Sequence, residues 1–417
     1  MSLEQVITNN IETQESTEAM PSPEGAQTEP AKPAEPIAPA GPAFRLNVKA
    51  LLASLDLLKP AINPRSSVTA LACVLIKPEA DRVSIIGTDA ENFIRLVILA
   101  DCQPAGTIAI PYARLLKVLK STKAQSVTLE PLADFWVRLR LGDLNVKIQG
   151  WDPDSIPPIP PVQPDAWRGR IAIAEFNRMA ARTRFAASPD QARYNLCAVC
   201  LERKSNGGLR MAATDGHRLS YADTTATLEL AKPLLIPVTA IDALAKLTAK
   251  LAESTDMMIA LQGDTIRFVL PDNRLLVTRL VEGEFPDYRG VVPNPDAIIQ
   301  IASVSAKAFA DALKAVSICS NERWRGVRLA LENHVKPACL TVSACSPDLG
   351  EASQSMPAEF SNMDHPDIAA GFNADYLTEY LAIVGKANVA VGLIDDVSAA
   401  LFQAEPDWSY VVMPMRL

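Results

Sequence analysis

Apolar and polar residues alternate in several short stretches of this 417-residue chain. Between 135 and 141 the odd positions are apolar, from Phe135 to Leu141, while Trp136, Arg138 and Arg140 lie between them. Such alternation is typical of a strand with one buried face. The run 275–281, rich in Leu and Val, predicts another strand. Longer amphipathic segments predict helices. These are 48–59, 112–123, 174–187, 239–253, 305–317 and 373–386.

The same pattern recurs three times along the chain. A short apolar stretch ends at a polar turn near Asp89, Asp215 and Ser346, positions that are 126 and 131 residues apart. A helix near the start of each unit and a strand that leads into a second helix recur in the same order. Proline-rich joints at 152–164 and 285–295 separate the units. We therefore predict an α+β fold of three repeated domains, with antiparallel sheets and two helices per domain on one face. Their bounds are 44–164, 165–293 and 294–417.

Residues 1–43 differ from the rest in composition. They contain seven Glu and one Lys, which gives this segment a net charge of −6 out of −8 for the whole chain. Few of its residues could build a core, so we predict a disordered N-terminal extension. Prolines recur every third residue from Pro30 to Pro42, which matches the three-residue turn of polyproline II. A stiff linker is the simplest interpretation, and a docking ligand is the alternative.

Composition narrows the class of protein. Hydrophobic residues make up 48 % of the chain, and no apolar run reaches the length of a membrane span. The N-terminus lacks the pattern of a signal peptide, and seven scattered cysteines fit a reducing compartment, so we predict a cytoplasmic location without membrane contact. Outside the extension the net charge is only −2, which argues against simple electrostatic capture of DNA.

Basic residues nevertheless collect on some predicted helices. A single such helix is usually a solvated face. Equivalent helices of the first two units share the bias, however, and could present cations to phosphates without reading bases. The third unit supports this interpretation only weakly. The cations are Arg114, Lys117, Lys120 and Lys123 in one helix, Arg178 and Arg182 in the next, and Lys246 and Lys250 in the third.

Motifs of catalysis are missing from the sequence. It contains no Gly-x-Ser-x-Gly, P-loop, dinucleotide-binding or His-Glu-x-x-His pattern, so no catalytic residue, metal or cofactor is predicted. Cys197 and Cys200 have CxxC spacing, but no second pair follows at the distance of a zinc ribbon. Asp215 and His217 resemble an acid–base pair, which keeps a hydrolase open as an alternative, although a turn with a structural histidine explains them better.

The chain ends in an apolar segment, 411–417, which contains two Val, two Met, one Pro and one Leu. Chain ends are normally polar unless something holds them. One interpretation is a last strand packed on the core. The other is one wall of an adaptable groove, because methionine repacks easily around different ligands.

Four stretches, 213–219, 282–289, 320–329 and 411–417, resemble the bacterial DNA polymerase III beta subunit family of sliding clamps. The resemblance covers about 44–417. It implies a head-to-tail homodimer in which six domains and twelve helices surround duplex DNA. Such a ring is a non-catalytic processivity factor that slides without sequence specificity and tethers the replicative polymerase.

The resemblance also implies one groove per protomer for short peptides with a glutamine and leucine or phenylalanine anchors. Its partners would be the DNA polymerase III alpha subunit, the clamp loader, other clamp-binding polymerases and repair factors. The implied groove residues are Leu196, Thr214, Gly216, His217, Arg218, Leu219, Pro286, Val291, Asn373, Tyr376, Val397, Val411, Val412, Met413, Pro414, Met415, Arg416 and Leu417.

Further positions match family contacts with DNA and with the second protomer. The resemblance implies that Arg65, Arg193 and Tyr194 contact double-stranded DNA, and that Ile318 and Cys319 lie in the dimer interface. The chain departs from the family pattern elsewhere, which puts partner preference in doubt. The departures are Gly290 for an arginine, Trp324 for a smaller aromatic residue, Asn195 for a tyrosine and Ala399 for a serine. An accessory clamp-like protein that binds clamp partners without encircling DNA is the alternative.

Overall fold

The computed structural model describes residues 43–417 except 80, 103–105, 253, 322 and 362–365. The predicted extension 1–43 lies outside the described residues apart from Ala43. So do Glu253, at the end of a predicted helix, and Glu322, inside one of the resembling stretches. None of the helices in the described part has the length and apolar character that a bilayer crossing requires.

Helices and strands follow the same order in each unit. The first unit contains β1 (Phe44–Asn47), α1 (Val48–Leu58), β2 (Cys73–Pro78), β3 (Arg82–Thr88), β4 (Asn92–Leu99), β5 (Asp101–Cys102), β6 (Ile108–Pro111), α2 (Tyr112–Lys120), β7 (Ser126–Pro131), β8 (Trp136–Leu141) and β9 (Leu144–Gln149). The second contains β10 (Trp167–Ala172), α3 (Ile173–Thr183), β11 (Ala198–Arg203), β12 (Leu209–Thr214), β13 (Arg218–Thr224), β14 (Leu234–Pro237), α4 (Val238–Thr248), β15 (Asp256–Gln262), β16 (Thr265–Val269) and β17 (Leu275–Arg279). The third contains β18 (Gln300–Ser305), α5 (Ala306–Val316), β19 (Gly326–Glu332), β20 (Cys339–Ser346), β21 (Gly350–Pro357), β22 (Glu359–Phe360), β23 (Ile368–Asn373), α6 (Ala374–Val384), β24 (Asn388–Leu393), β25 (Ala400–Glu405) and β26 (Trp408–Val412).

Apart from the two-residue strands β5 and β22, every unit is a strand, a helix and three strands, repeated twice. The predicted threefold repeat is therefore a sixfold repeat of a smaller motif. All strand pairs described are antiparallel, and buried residues from all three units join one apolar core. These features confirm the predicted α+β class.

The sheets run across the boundaries between units. An eight-stranded sheet joins the first unit to the second where β4 pairs with β17, and a nine-stranded sheet joins the second to the third where β13 pairs with β26. Two smaller sheets remain at the ends. One has five strands and ends at β9, and the other has four strands and ends at β21.

The helices are amphipathic, and α2 shows how the sequence produces this. Its apolar side chains recur at helical spacing, so Tyr112, Leu115 and Leu119 are buried against the core. The residues between them face outwards, among them Lys117 and Lys120. The helix therefore carries its basic residues on its exposed side.

All six predicted helices extend past the C-terminal ends in the structure, by three to five residues at α2, α3 and α4 and by one or two at the others. In the structure, α2 ends at Lys120, α3 ends at Thr183 and α4 ends at Thr248. The hydroxyl groups of Thr183 and Thr248 donate to the carbonyls four residues earlier, at 2.8 Å each. The same type of bond joins the Thr378 hydroxyl to the Ala374 carbonyl inside α6, so it does not by itself end a helix. With these ends, Lys123 and Lys250 lie beyond their helices.

The predicted burial of Phe135 is wrong. Phe135 precedes β8, with a φ of +61°, and its side chain is 50 % exposed. The other apolar residues of the alternating stretch, Val137, Leu139 and Leu141, are buried. The pattern thus identified the strand but placed its first residue one position too early.

Candidate partner-binding groove and nucleic-acid face

The predicted groove begins at the turn between β12 and β13. Asp215 Oδ1 accepts hydrogen bonds from the backbone N–H groups of His217 (2.9 Å) and Arg218 (3.1 Å). Gly216 has a φ of +92°, a conformation that glycine adopts easily. The second carboxylate oxygen of Asp215 binds Arg218 Nε at 2.9 Å. The carboxylate is therefore a structural group of the turn, and the hydrolase alternative loses its proposed acid–base pair.

Arg218 connects the second unit to the third. Its Nη1 lies 2.6 Å from the Glu379 carboxylate of α6, and its Nη2 donates to the Phe185 carbonyl at 2.9 Å. The guanidinium carbon also lies 4.4 Å from the ring centroid of Tyr376. Because the side chain is only 7 % exposed, loss of one partner would leave a buried charge, which costs about 3–5 kcal/mol in proteins. Arg218 therefore joins the turn between β12 and β13 to α6, next to the predicted groove.

The first part of segment 411–417 is a strand. Val411 and Val412 end β26 and pair with Leu219 and Arg218 of β13. Both valines are buried. This part agrees with the interpretation that the segment completes a last strand on the core.

The second part continues across the surface of the third unit. The N–H of Met413 donates to the His217 carbonyl at 2.9 Å, and the N–H of Met415 donates to the Gly371 carbonyl at 2.8 Å. Met413 is 43 % exposed and Leu417 is 67 % exposed. Backbone hydrogen bonds thus hold an exposed apolar strip in place, and its role as the wall of a groove stays a prediction.

Two glycines make room for this strip. A Cβ on Gly371 would lie 2.4 Å from the Met415 carbonyl oxygen, and a Cβ on Gly326 would lie 2.5 Å from Leu417 Cδ2. Atoms at such distances overlap, and at Gly371 the obstacle is backbone, which cannot swing aside. The position of the C-terminal strip therefore depends on glycine in the neighbouring strands β19 and β23.

A small apolar cluster lies under the other side of the groove. It contains Leu219 and Val411 together with Ala212 and Tyr288, all buried. Tyr288 brings the joint between the second and third units against the same strands. The loop that carries Pro286 and Val291 therefore lies beside the C-terminal strand.

The predicted groove residues divide by exposure into two sets. The buried set comprises Leu196, Thr214, Arg218, Leu219, Val411 and Val412. The set at least partly open to solvent comprises Gly216, His217, Pro286, Val291, Asn373, Tyr376, Val397, Met413, Pro414, Met415, Arg416 and Leu417. The buried set lies beneath the surface, and only the second set is accessible to a ligand.

Cations are most accessible on α2. Arg114, Lys117 and Lys120 are exposed, and no carboxylate of the described residues forms an ion pair with them. Lys246 on α4 and Lys250 in the turn after it are exposed in the same way. These five side chains retain the character that contact with phosphates requires.

The structure contradicts the predicted exposure of Arg182 on α3. Arg182 is 8 % exposed and binds the carboxylates of Glu405 (2.5 Å) and Asp407 (3.1 Å), which lie in the third unit. Arg178 is more accessible but also binds Asp407. The turn between β25 and β26 covers this side of α3. Arg182 is therefore a contact between units and not a free cation, and Arg178 is already neutralised.

The other predicted DNA contacts lie in loops. Arg65 is exposed in a turn, where its N–H binds Asn63 Oδ1 at 3.1 Å. Tyr194 is 57 % exposed. Arg193 Nη1 donates to the Asp215 carbonyl at 2.8 Å, which places this side chain beside the turn of the groove.

The predicted interface residues follow α5 in a short 3₁₀ turn, Ser317–Cys319. Ile318 is 76 % exposed, and Cys319 is partly buried. Exposure alone does not identify an interface, because Leu99 of the first unit is 78 % exposed, so the place of Ile318 in a dimer interface stays a prediction.

Several contributors were missed at the level of sequence. Glu379 and Asp407 bind arginines that lie more than 150 residues away, and nothing in the local sequence identifies such pairs. Gly326 and Gly371 gave a signal that could have been used, because glycine inside a strand often marks the close approach of another backbone.

The CxxC stretch has no chemical features of a redox or metal site. Burial raises the pKa of the Cys200 thiol to about 12, and the pKa of the Cys197 thiol is also raised, mainly by burial. Both thiols are therefore protonated at neutral pH, which makes them poor nucleophiles. No cluster of three metal-binding side chains is found among the described residues.

Comparison with known proteins identifies all three units. Models of the DNA polymerase III beta subunit match its N-terminal domain at 43–160, its central domain at 170–287 and its C-terminal domain at 291–416. The beta sliding clamp of Pseudomonas aeruginosa is 29 % identical over 380 residues, which cover 90 % of this chain and all of that protein.

Solved structures agree with the sequence comparison. The sliding clamp of Pseudomonas aeruginosa bound to griselimycin superimposes with a TM-score of 0.81 and 28 % identity, covering 91 % of this chain and 100 % of that one. The clamp of Bartonella birtlesii bound to griselimycin gives 0.82 and 25 % identity, covering 90 % and 100 %. With three family domains in order along one chain, this protein belongs to the DNA polymerase III beta subunit family of sliding clamps.

Proposed function

We propose that this protein is a DNA polymerase processivity factor. Two copies form a ring around duplex DNA, which slides without sequence specificity and tethers the replicative polymerase. The protein catalyses no reaction itself and needs no cofactor. The observation that carries the proposal is the match of all three clamp domains, in order, across the full length of the similar clamps.

The two smaller sheets, one at each end of the folded chain, have unpaired edge strands, which supports a ring. Inside the chain, sheets of eight and nine strands cross the joints, whereas the end sheets have five and four strands. Pairing of edge strand β9 with β21 of a second copy would produce nine strands and remove two open edges, which otherwise tend to aggregate. The exposed Ile318 follows the helix packed on β21. We infer a head-to-tail homodimer closed at these edges.

DNA contact in this proposal is mainly topological. The folded body carries little net charge, so a closed ring, and not attraction alone, keeps the protein on DNA. The phosphate backbone would be contacted by the unpaired cations of α2 together with Lys246 and Lys250. Additional contacts would come from Arg65, Arg193 and Tyr194. Arg178 and Arg182 are left out because Asp407 of the third unit binds both, whereas the ion pair of Arg193 with Asp190 (3.4 Å) is open to solvent.

The groove between the second and third units would bind linear peptides of partner proteins. Exposed Met413 and partly buried Met415 supply adaptable apolar contacts, while Arg218 and Tyr376 form the floor of the groove. We propose the polymerase alpha subunit, the clamp loader, other clamp-binding polymerases and repair factors as competing partners, all in the cytoplasm. Apolar anchors in shallow pockets bind weakly, which allows competing partners to exchange.

Deletion of Met413–Leu417 tests the groove. This removes the exposed strip and its hydrogen bonds to His217 and Gly371, but leaves strand β26 complete. We expect a peptide with a glutamine and leucine or phenylalanine anchors to lose at least tenfold in affinity, measured by fluorescence anisotropy. The dimer mass should stay unchanged. Unchanged peptide affinity after the deletion would refute the groove assignment.

Retention on circular DNA separates a working clamp from an accessory protein. A closed ring loaded on a nicked plasmid should remain bound through gel filtration and leave after the plasmid is linearised. An accessory protein would bind the peptide yet fail to remain on the circle. The match over the whole length of known clamps does not favour this alternative.

A further inference from the structure

The turn between β3 and β4 has the same local structure as the turn of the predicted groove. Asp89 Oδ1 accepts hydrogen bonds from the N–H groups of Glu91 (3.1 Å) and Asn92 (2.7 Å). Asp215 accepts the two corresponding bonds in the turn between β12 and β13. Ala90 has a φ of +80°, so it adopts the left-handed conformation that the glycine of the groove turn also has. The two turns therefore share one backbone arrangement.

The strand beside this turn ends in the same way. At the end of β17, the N–H of Arg279 donates to the Glu91 carbonyl at 3.1 Å. After β26, the N–H of Met413 donates to the His217 carbonyl in the equivalent bond of the groove. The proline-rich joint between the first two units, which we call the first joint, crosses the sheet here, because its Ile159 packs on a buried cluster of β4 and β17. The repeat thus supplies a second surface with the backbone arrangement of the groove.

Two arginines make this surface chemically different from the groove. Arg95 of β4 lies directly opposite Leu275 of β17. Arg267 of β16 lies opposite Val277 of the same strand. Because opposite residues of antiparallel strands point to the same face, both arginines lie on the face on which Ile159 packs. We call Arg95 and Arg267 the arginine pair of the first joint, and both are partly open to solvent.

The positive charge of this pair is not compensated. No carboxylate of the described residues forms an ion pair with either arginine, and Arg95 Nε is buried without a hydrogen-bond partner. Arg267 Nη2 donates to the Pro160 carbonyl, and burial together with the nearby charge of Arg95 lowers the pKa of the Arg267 guanidinium. Arg279 at the end of β17 is already bound by Asp264 at 2.7 Å. Two like charges without a counter-ion repel each other, and an anion that binds to both removes the repulsion.

We propose that the arginine pair of the first joint binds the carboxylates of an acidic linear peptide from a partner protein. Guanidinium groups bind carboxylates through two parallel hydrogen bonds, which suits arginines that have no acidic partner within the chain. The choice of a peptide over a free anion rests on the proposed function, because the same backbone arrangement holds a peptide in the predicted groove. The site gives the protein a second class of partner, which is selected by charge.

Fluorescence anisotropy with a labelled peptide, Glu-Asp-Leu-Asp-Glu, tests this site. The amide version, Gln-Asn-Leu-Asn-Gln, should bind at least about tenfold more weakly, because hydrogen bonds to a charged group are the stronger ones. Equal affinities for the two peptides would overturn the proposal. So would an effect of inorganic phosphate on the thermal stability of the protein without any binding of the acidic peptide, because the pair would then be a site for small anions only.

Variants assign the binding to the arginine pair. Arg95→Gln and Arg267→Gln should each lower the affinity for the acidic peptide about tenfold or more. Arg328→Gln is the matched control, since it changes an exposed strand arginine that also forms no ion pair with a described carboxylate, and it should leave the affinity unchanged. Arg95→Gln should also keep or raise the melting temperature, because it removes the repulsion between two cations. A lower melting temperature in this variant, or unchanged peptide affinity in both, would contradict the proposal.

Failure of this site and failure of the groove give different results. The core peptide, which has a glutamine and leucine or phenylalanine anchors, reports on the groove, and the acidic peptide reports on the arginine pair. The variant that lacks Met413–Leu417 should lose the core peptide and keep the acidic one. Binding of the core peptide alone to the intact protein overturns this inference only. Binding of the acidic peptide alone overturns the groove assignment and supports the arginine pair.

Discussion

Single residues in the groove act by keeping space open or by keeping a buried charge paired. Gly371 leaves room for the backbone of the C-terminal strip, and Arg218 gathers Asp215, Glu379 and the Tyr376 ring around one guanidinium. In both cases the residue contributes through a neighbour that is distant in sequence. A change at such a position should therefore alter the ligand site without destroying the fold.

Gly371→Ala should displace the C-terminal strip, because its Cβ would collide with the Met415 carbonyl 2.4 Å away. We expect the affinity for the core peptide to fall about tenfold or more, which corresponds to at least about 1.4 kcal/mol. Gly290→Ala is the matched control, since no atom lies within 4 Å of its Cβ position beside the groove. Equal binding by the two alanine variants would show that the strip is not a wall of the site.

The six α-helices of the described part differ in whether their charged side chains form ion pairs. The exposed side of α2 carries unpaired cations, whereas α3 has its arginines bound by carboxylates of the third unit. On α6, Asp375 and Glu379 bind Arg325 and Arg218. A helix can therefore look basic in sequence and still offer no free charge to DNA.

Removing Lys117 and Lys120 together should weaken electrostatic attraction to duplex DNA. Each lost phosphate contact lowers the slope of log affinity against log salt by about 1, so we expect a decrease of about 2 for Lys117→Ala with Lys120→Ala. Anisotropy of a labelled duplex across a salt series measures it. Lys77→Ala with Arg170→Ala removes two exposed cations from strands and should leave the slope unchanged. A similar fall in both double variants would contradict a specific role for α2.

For the whole molecule, the decisive feature is that neither end sheet is complete. The joints inside the chain are continuous sheets, in which β4 pairs with β17 and β13 pairs with β26. The edge strands β9 and β21 have no such neighbour within the described chain. Association of two copies is the simplest way to pair them.

Light scattering across a dilution series should give twice the chain mass of 44.9 kDa. Ile318→Asp should yield the single-chain mass, because a charge would be buried at the interface while the 76 % exposed side chain costs the monomer little. Leu99→Asp changes a residue that is 78 % exposed on the first unit and should remain dimeric. A persistent monomer of the unaltered protein would favour the accessory alternative.

Much of the fold could be predicted from sequence because the relevant signals are local. Alternation around Val137 and helical spacing around Leu115 depend on neighbours a few residues away, and so does the Gly216 turn. Recognition of the groove needed the resembling stretches, and its boundaries stay a prediction. Helix ends were placed too late because the pattern of apolar and polar residues does not specify where the backbone hydrogen bonding of a helix stops.

The sequence by itself determined the repeating α+β pattern, the family and the residue types around the groove, since these depend on local periodicity and on short motifs. Only the tertiary structure decided which charges are free and which are paired. Arg182 and Lys117 look alike in sequence, yet one is covered by Asp407 and the other faces solvent. The physical reason is that charge pairing depends on distances in space, and folding brings together residues, such as Arg182 and Asp407, that lie 225 positions apart.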